Sequence, residues 1–372
     1  MTTVIRTHGV ESLVAIAQQF TLWGTLTDVQ PFGSGNINDT FLVTLDTPGE
    51  KHFILQRINT QVFRQPQLIM QNMRIFTDHV RQRLQHTPLD RRWEVPRVLS
   101  TPEGQDYYID EAGNFWRGIS FIAEAQSFDT MQNLQQAQEI GYALGMFHNL
   151  MSDLPPEKLA DTLPGFHITP LYLRQYQEVL ENTTPQPSPE VNYCCQFVSD
   201  RTNFAYSLEN AQAEGKLPLR LMHGDPKINN VMFDTATHKA VSVIDLDTVK
   251  PGLVHYDIGD CLRSGCNPVG EETTDWDSVY FDTDLCQGIL RGYLSVAQAF
   301  LTENDYAYIY DAMCLIAFEL GLRFFTDYLA GNVYFKVKHP EHNLARAIVQ
   351  FKLTESIESQ ETQIRQIIQD LK

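Results

Sequence analysis

Leu221-Met-His-Gly-Asp-Pro-Lys-Ile-Asn-Asn-Val-Met-Phe-Asp234, followed by Ala240-Val-Ser-Val-Ile-Asp-Leu-Asp247, is the stretch from which the rest of the chain can be read. The runs Asn230 to Phe233 and Ala240 to Ile244 have strand character, and the polar segment Asp234 to Lys239 between them has the length and composition of a hairpin turn. Such a hairpin returns Asp245 to the end that carries Asn230, with Asp225 on the crest of the preceding loop. Two oxygen ligands at one end of a hairpin suit a hard cation such as Mg²⁺, which takes its other ligands from water and phosphate. Transfer of a γ-phosphoryl group asks for one carboxylate to accept the proton of the attacking hydroxyl, plus an amide oxygen and a second carboxylate to hold the metal. Asp225, Asn230 and Asp245 supply those groups in that order, and Lys227 adds a point charge within reach of the moving phosphoryl. Solvated turn carboxylates are the competing reading, and the ordered His-x-Asp-x-Lys-x-x-Asn set with a strand-borne Asp behind it argues against them.

Composition bounds the rest. A chain of 372 residues with 43% hydrophobic and 20% charged content can bury sizeable cores and is long enough for two lobes. The net charge of −18 argues against a nucleic-acid or anionic-membrane surface, since both need a basic footprint. Six cysteines, two of them adjacent at Cys194 and Cys195, show neither metal-ligand spacing nor a disulfide framework, which points to reduced thiols and a cytoplasmic setting. Met1 to Phe20 is interrupted by Arg6, Glu11 and two glutamines, so a signal peptide is not expected. No run approaches the roughly 18 apolar residues of a membrane span.

The period of the apolar residues changes once along the chain. After a helix over Gly9 to Phe20, strands are expected at Val29 to Phe32, Thr40 to Leu45, His52 to Ile58, Tyr107 to Asp110 and Gly118 to Ala123, with one helix at Gln67 to Gln85. From Ser127 onward the pattern is helical: Leu134 to Leu150, Pro170 to Leu180, Val191 to Gly215, Asp284 to Phe300, Asp305 to Ala330 and His342 to Leu371. The expected class is α+β: a β-rich N-terminal nucleotide-binding lobe over residues 1–123, and a helical catalytic and substrate-binding lobe over 124–372. Glu181 to Glu190, with three prolines, reads as an exposed connection.

The nucleotide site belongs to the first lobe. Gly33-Ser34-Gly35-Asn36-Ile37-Asn38-Asp39 lies between two strands, where small residues and backbone amides can fold over phosphates; a plain hairpin turn is the alternative. In the strand Phe53 to Ile58, alternation puts Phe53, Leu55 and Arg57 on one face and Ile54, Gln56 and Ile58 on the other. Arg57 is the candidate phosphate-side cation; otherwise Gln56 or Asn72 takes the positioning role, because the strand has no Lys and the following helix no Glu. Ile119 to Ala123, an apolar run, leads into Glu124 and reads as the link between the two lobes, with Glu124 a candidate nucleotide-side residue. Asp247 either takes a second metal or caps a turn. Asp260 reads as a helix cap paired with Arg263, and His223 as a brace for the Asp225 loop. Arg323, costly to bury in an apolar helix, either binds the acceptor or pairs with Glu319 four residues earlier, and Tyr334 beyond Gly331 is placed to close over the same spot.

The His223 to Asp247 segment resembles the catalytic and metal-binding loops of the aminoglycoside phosphotransferase and choline kinase superfamily. Pro31 to Thr40, Ile54-Leu-Gln-Arg-Ile-Asn59, Val243-Ile-Asp-Leu-Asp-Thr-Val249 and Leu322-Arg-Phe-Phe-Thr-Asp-Tyr-Leu329 are similar to N-acetylhexosamine 1-kinases, over a span from about Val29 to Glu355. The resemblance implies a bilobal protein-kinase-like fold and ATP with Mg²⁺ as cofactors. It further implies an N-acetylhexosamine such as GlcNAc or GalNAc as small-molecule partner, phosphorylated on its anomeric hydroxyl, with Arg323 and Tyr334 lining the sugar pocket. A kinase of another small alcohol (amino alcohol, homoserine, other sugar) and a nucleotide-binding pseudokinase are the alternatives, the second opposed by the intact Asp225, Asn230 and Asp245.

Overall fold

Alternation sets the first lobe. The computed structural model describes residues 10–20, 23–33, 37–87, 89–183 and 186–372. After α1 (Val10–Gln18), strands β1 (Thr25–Pro31), β2 (Asp39–Asp46) and β3 (His52–Ile58) form an antiparallel meander. Helix α2 (Pro66–His86) follows, then β4 (Val98–Leu99), β5 (Tyr108–Ile109) and β6 (Phe115–Ser120), giving the sheet order β1-β2-β3-β6-β4 with β5 also on β6. Phe53 and Leu55 face outward and pack with Phe41, Val43, Leu45 and Trp116 on Leu13, Ile16, Ala17 and Phe20. Ile54 and Gln56 face the other way, into a cleft. The last strand begins and ends three residues earlier than its sequence suggests, because Phe115 and Trp116 are buried opposite Ile58 and Arg57, while Phe121 and Ile122 leave the sheet to wall the cleft.

The second lobe opens with β7 (Ala125–Gln126) and α3 (Leu134–Met151), then α4 (Thr169–Asn182), α5 (Pro189–Asp200) and α6 (Ser207–Ala213). Four short strands follow: β8 (Arg220–Met222), β9 (Val231–Asp234), β10 (Ala240–Val243) and β11 (Lys250–Gly252). β9 and β10 form the expected hairpin, with Val243 opposite Val231, and β8 pairs with β11. The remainder is helical: α7 (Val254–Gly265), α8 (Thr283–Ala297), α9 (Glu303–Leu329), α10 (His342–Ser359) and α11 (Glu361–Leu371). The architecture is the expected α+β one, an antiparallel sheet lobe beside a helical lobe.

Three local departures have physical causes. α7 carries an apolar stripe, Val254, Ile258, Cys261 and Leu262, but its other face, with Asp257, Asp260 and Arg263, is buried as well, so only Ser264 escapes burial and Asp260 lies within the helix and not at its cap. The helix expected over 191–215 breaks after Asp200, where Arg201 leaves helical geometry and its guanidinium lies 3.6 Å from the Phe197 ring centre while pairing with Glu358. The long C-terminal helix breaks at Gln360, whose side-chain amide donates to the Phe281 and Ser356 carbonyls. In each break tertiary bonds outweigh local propensity.

One packing detail bears on the site. A Cβ on Gly141 would sit 1.8 Å from the Ile289 carbonyl oxygen, and one on Gly292 1.8 Å from that of Gln138. Only glycine lets α3 and α8 meet backbone to backbone. That contact brings Tyr293 of α8 to His148 of α3, its hydroxyl 3.0 Å from Nδ1.

Candidate active site

The loop between β8 and β9 is built from its backbone outward. Asp257, fully buried on α7, accepts the amide hydrogens of His223 (2.6 Å) and Gly224 (2.8 Å) and a bond from His148 Nε2 (2.8 Å). Gly224 is left-handed at φ +86°, and a Cβ there would come within 2.9 Å of Thr248, so this position requires glycine. Thr248 in turn donates to the His223 carbonyl at 2.7 Å. His223 Nε2 donates to the Ile244 carbonyl (2.9 Å), which leaves Nδ1 to accept from the Asp225 amide (3.2 Å). Burial pushes its pKa down, in keeping with a neutral brace.

A cleft of about 650 Å³ collects the residues that matter, among them Asp225, Lys227, Asn230, Asp245 and Asp247. Lys227 Nζ lies 2.8 Å from Asp225 Oδ2. Burial pulls the Lys227 pKa down, but Asp225, with Asp245 and Asp260 behind it, outweighs that and holds it above its ordinary value. Asn230 donates from Nδ2 to the Asp225 carbonyl at 2.8 Å, an orientation that leaves its oxygen for other partners. Asp245 sits at φ +64°, ψ +60°, strain on the order of 1–3 kcal/mol for a non-glycine residue. Its carboxylate opens to the cleft yet is ringed by protein; desolvation first, then Asp247 and Asp225, push its pKa up to about 7.

These groups fit a hard divalent cation. Repulsion among three carboxylates is relieved by positive charge, and the donors on offer are all oxygens. No group of three or more His, Cys, Asp or Glu that could hold a metal exists among the described residues, so Asn230 and Asp245 would share the ion with phosphate oxygens and water. Asp247 is otherwise engaged: Asn38 donates to its Oδ2 at 2.7 Å, and Arg117 Nη1 lies 2.6 Å from its Oδ1.

Arg117 is the residue sequence reasoning missed. It lies directly opposite Gln56 in the β3–β6 register, donates to the Gln56 side-chain oxygen from Nε (2.9 Å) and Nη2 (2.6 Å), and is almost fully buried. Arg57 is placed elsewhere. Alternation sends it to the opposite face from Gln56, where it pairs with Asp39 and does not line the cleft. A lone Arg inside the apolar run Phe115 to Ser120 is the signal that could have pointed to Arg117. From α2, Met73 packs against Arg117, its sulfur 3.9 Å from Nη1. Asn72 faces away and ties down the Ala160 and Val249 carbonyls.

Gly33 and Asn38 line the cleft, whereas Ser34, Gly35 and Asn36 fall outside the described residues. Ile119 to Ile122 and Ala125 to Ser127 wall the far side. Glu124 between them does not: at φ +52° its side chain is exposed and its carbonyl accepts from Thr235.

Arg323 and Tyr334 do not line this cleft, and of the two readings of Arg323 the pairing with Glu319 does not form, because Glu319 is taken by His167 Nδ1 (2.8 Å) and Thr169 (2.6 Å). Arg323 instead lies among aromatic faces, 4.9 Å from the Tyr172 ring centre, 5.4 Å from Phe166 and 5.6 Å from Phe335. Burial pulls its pKa down and Tyr172, Glu319, Tyr334 and Asp260 push it up, with the net above the ordinary arginine value. Tyr334, mostly exposed, stands edge-on to Phe335 at 4.8 Å. Asp260 accepts from Arg263 Nε at 2.8 Å. His167 is buried at φ +61° and its Nε2 donates to the Gly224 carbonyl at 2.9 Å, next to Asp225.

Residues 28–292 match the model of a family described as "Phosphotransferase enzyme family". An aminoglycoside phosphotransferase from Alicyclobacillus acidocaldarius has a similar fold, with TM-score 0.62, 14% identity and 96% of each chain covered. So does a microcompartment-associated aminopropanol kinase, with TM-score 0.61, 16% identity, 95% of this chain and 98% of that one. The GDP complex of aminoglycoside 2'-phosphotransferase-IIIa matches at TM-score 0.52 and 13% identity, covering 97% of this chain and 95% of that one.

Proposed function

Because the chain belongs to the phosphotransferase enzyme family, we propose that it is a small-molecule kinase that transfers the γ-phosphoryl group of ATP to the anomeric hydroxyl of an N-acetylhexosamine. Asp225 orients that hydroxyl and takes its proton, and Lys227 steadies both Asp225 and the moving phosphoryl. Asn230 and Asp245 would hold Mg²⁺, which supplies charge neutralisation on the phosphates. Asn38, held by Asp247, would meet the nucleotide from the cleft wall that it shares with Gly33. Arg117, rather than Arg57, is the cation that ties the sheet lobe to the metal loop through Asp247.

The observation that carries the acceptor class is the position of Arg323. Kinases of cationic alcohols need an aromatic or acidic box to receive the ammonium. Here Phe166, Tyr172 and Phe335 already surround a permanent cation, which repels an ammonium and offers guanidinium donors to hydroxyl and acetamido oxygens. Tyr334 would add an apolar wall for the sugar ring. Six free cysteines fit a reducing compartment, and no helix among the described residues is long and apolar enough to cross a membrane. A second reading, an amino-alcohol kinase, draws on the net charge of −18, which attracts cationic acceptors. Purified protein with MgATP and a panel of N-acetylhexosamines, other sugars, homoserine and amino alcohols, read by ADP release, separates them. Turnover with an N-acetylhexosamine is expected; turnover with amino alcohols alone would replace this reading with the second, and none with any acceptor would favour a nucleotide-binding pseudokinase.

A further inference from the structure

The loop after α9, residues 331–341, carries both Tyr334 and Phe335, yet it has little core of its own: Val333 is 78% exposed and Tyr334 61%. What fixes it is one buried carboxylate. Asp327, 5% exposed on the last turn of α9, accepts the amide hydrogens of Val333 (2.9 Å) and Tyr334 (2.8 Å) on Oδ1 and that of Phe335 (2.9 Å) on Oδ2. A fourth donor, Asn343 Nδ2 of α10, reaches Oδ2 at 2.9 Å. The chain enters this arrangement through two left-handed residues, Gly331 at φ +89° and Asn332 at φ +60°, and the Asn332 amide closes on the Asp327 carbonyl at 2.7 Å. At its far end the loop is strapped by Glu272, which accepts from Lys338 (2.8 Å) and His342 (2.9 Å) and pairs with Arg346.

Asp327 follows Arg323 by four residues, one helical turn, so the carboxylate that shapes the loop and the guanidinium the loop encloses share one face of one helix. We propose that Asp327 is a positioning residue for the acceptor: by gathering three consecutive amides it sets Phe335 against Arg323 and holds Tyr334 at the mouth of the acceptor site. This rests on the reading of Arg323 and Tyr334 as acceptor-binding groups. The chemistry demands a carboxylate. Four donors converge on its two oxygens, and an asparagine in the same place would turn an N–H₂ toward two of them, breaking those bonds and opposing donor to donor.

The test has two readouts, one of which does not depend on the acceptor's identity. In Asp327→Asn, amide hydrogen exchange at Val333, Tyr334 and Phe335 should accelerate on the order of tenfold or more, the factor expected from losing bonds to a charged acceptor. The acceptor KM should rise by roughly the same factor while the KM for ATP stays within about twofold. Asn343→Ala, which leaves the Asp327 carboxylate and its three amide bonds in place and removes the buried side-chain donor together with its bond to the Asn332 side chain, keeps the question answerable if Asp327→Asn does not fold; it should accelerate the same three amides more weakly. Unchanged exchange at these amides in a folded variant overturns the clamp whatever the substrate is. Accelerated exchange with both KM values rising together overturns the acceptor-positioning role. Accelerated exchange beside failure of N-acetylhexosamines in the acceptor panel leaves the clamp standing and removes only the substrate reading.

Discussion

At the scale of single residues, the candidate centre depends on side chains whose orientation is fixed by what they are not free to do. Asn230 spends its amide nitrogen on the Asp225 carbonyl, His223 spends both ring nitrogens on the backbone, and Asp247 is held by Arg117 and Asn38. Asp225 and Asp245 are left to act, so Asp225→Ala should lower kcat at least about a hundredfold, the low end for loss of a general base, with nucleotide affinity nearly unchanged by calorimetric titration. Full activity in that variant would remove Asp225 as the base. Arg323→Leu should raise the N-acetylhexosamine KM and, by emptying the aromatic box of its cation, let amino alcohols bind; a steady-state acceptor panel on the variant reads both effects. These local facts were legible in the sequence wherever the partners lie close along the chain, as with Asp225, Lys227 and Asn230. They were not where the partner comes from another element: nothing local links Arg117 to Asp247 across 130 positions.

At the scale of elements, the β3–β6 pair explains why a search for one cation on β3 goes astray. The pleat gives Gln56 the cleft face and Arg57 the outer one, and the register delivers Arg117 opposite Gln56. Arg117→Met should cost about 3–5 kcal/mol in denaturant unfolding because it leaves Asp247 buried without its partner. Arg57→Met, breaking a partly exposed pair, should cost about 0–1 kcal/mol. Comparable losses in the two variants would contradict this division of roles. The full extent of α7 and the breaks in the two long helices escaped the sequence because they answer to tertiary partners: Asp257 lies beneath the His223–Gly224 amides, Arg201 pairs with Glu358, and Gln360 donates to the Phe281 carbonyl.

Across the whole molecule, His167 joins α9 to the loop that carries Asp225, bonded to Glu319 on one side and Gly224 on the other and stacked on Tyr256. Burial lowers its pKa, Glu319 and Asp260 raise it, Arg323 opposes them, and the net lies above the ordinary 6.5. A raised folded value means stability that is present below pH 6.5 and lost as the pH climbs through that value. Thermal unfolding scanned from about pH 6 to pH 10 should therefore show an alkaline decline that His167→Gln removes; an identical decline in the variant would assign it to other groups. The kinase-like order of a sheet lobe followed by a helical lobe was readable from the single change of period near Ser127, whereas the proposed acceptor site, drawing on α4, α9 and the loop after α9, has no contiguous signature. The central claim, phosphoryl transfer to a neutral sugar at Asp225, is tested most directly by ³¹P NMR of the protein incubated with MgATP and N-acetylglucosamine or N-acetylgalactosamine. A new resonance coupled to the anomeric proton, absent in Asp225→Ala, is the predicted result. Consumption of ATP to inorganic phosphate alone, or a phosphate ester formed only when an amino alcohol is supplied, would contradict it.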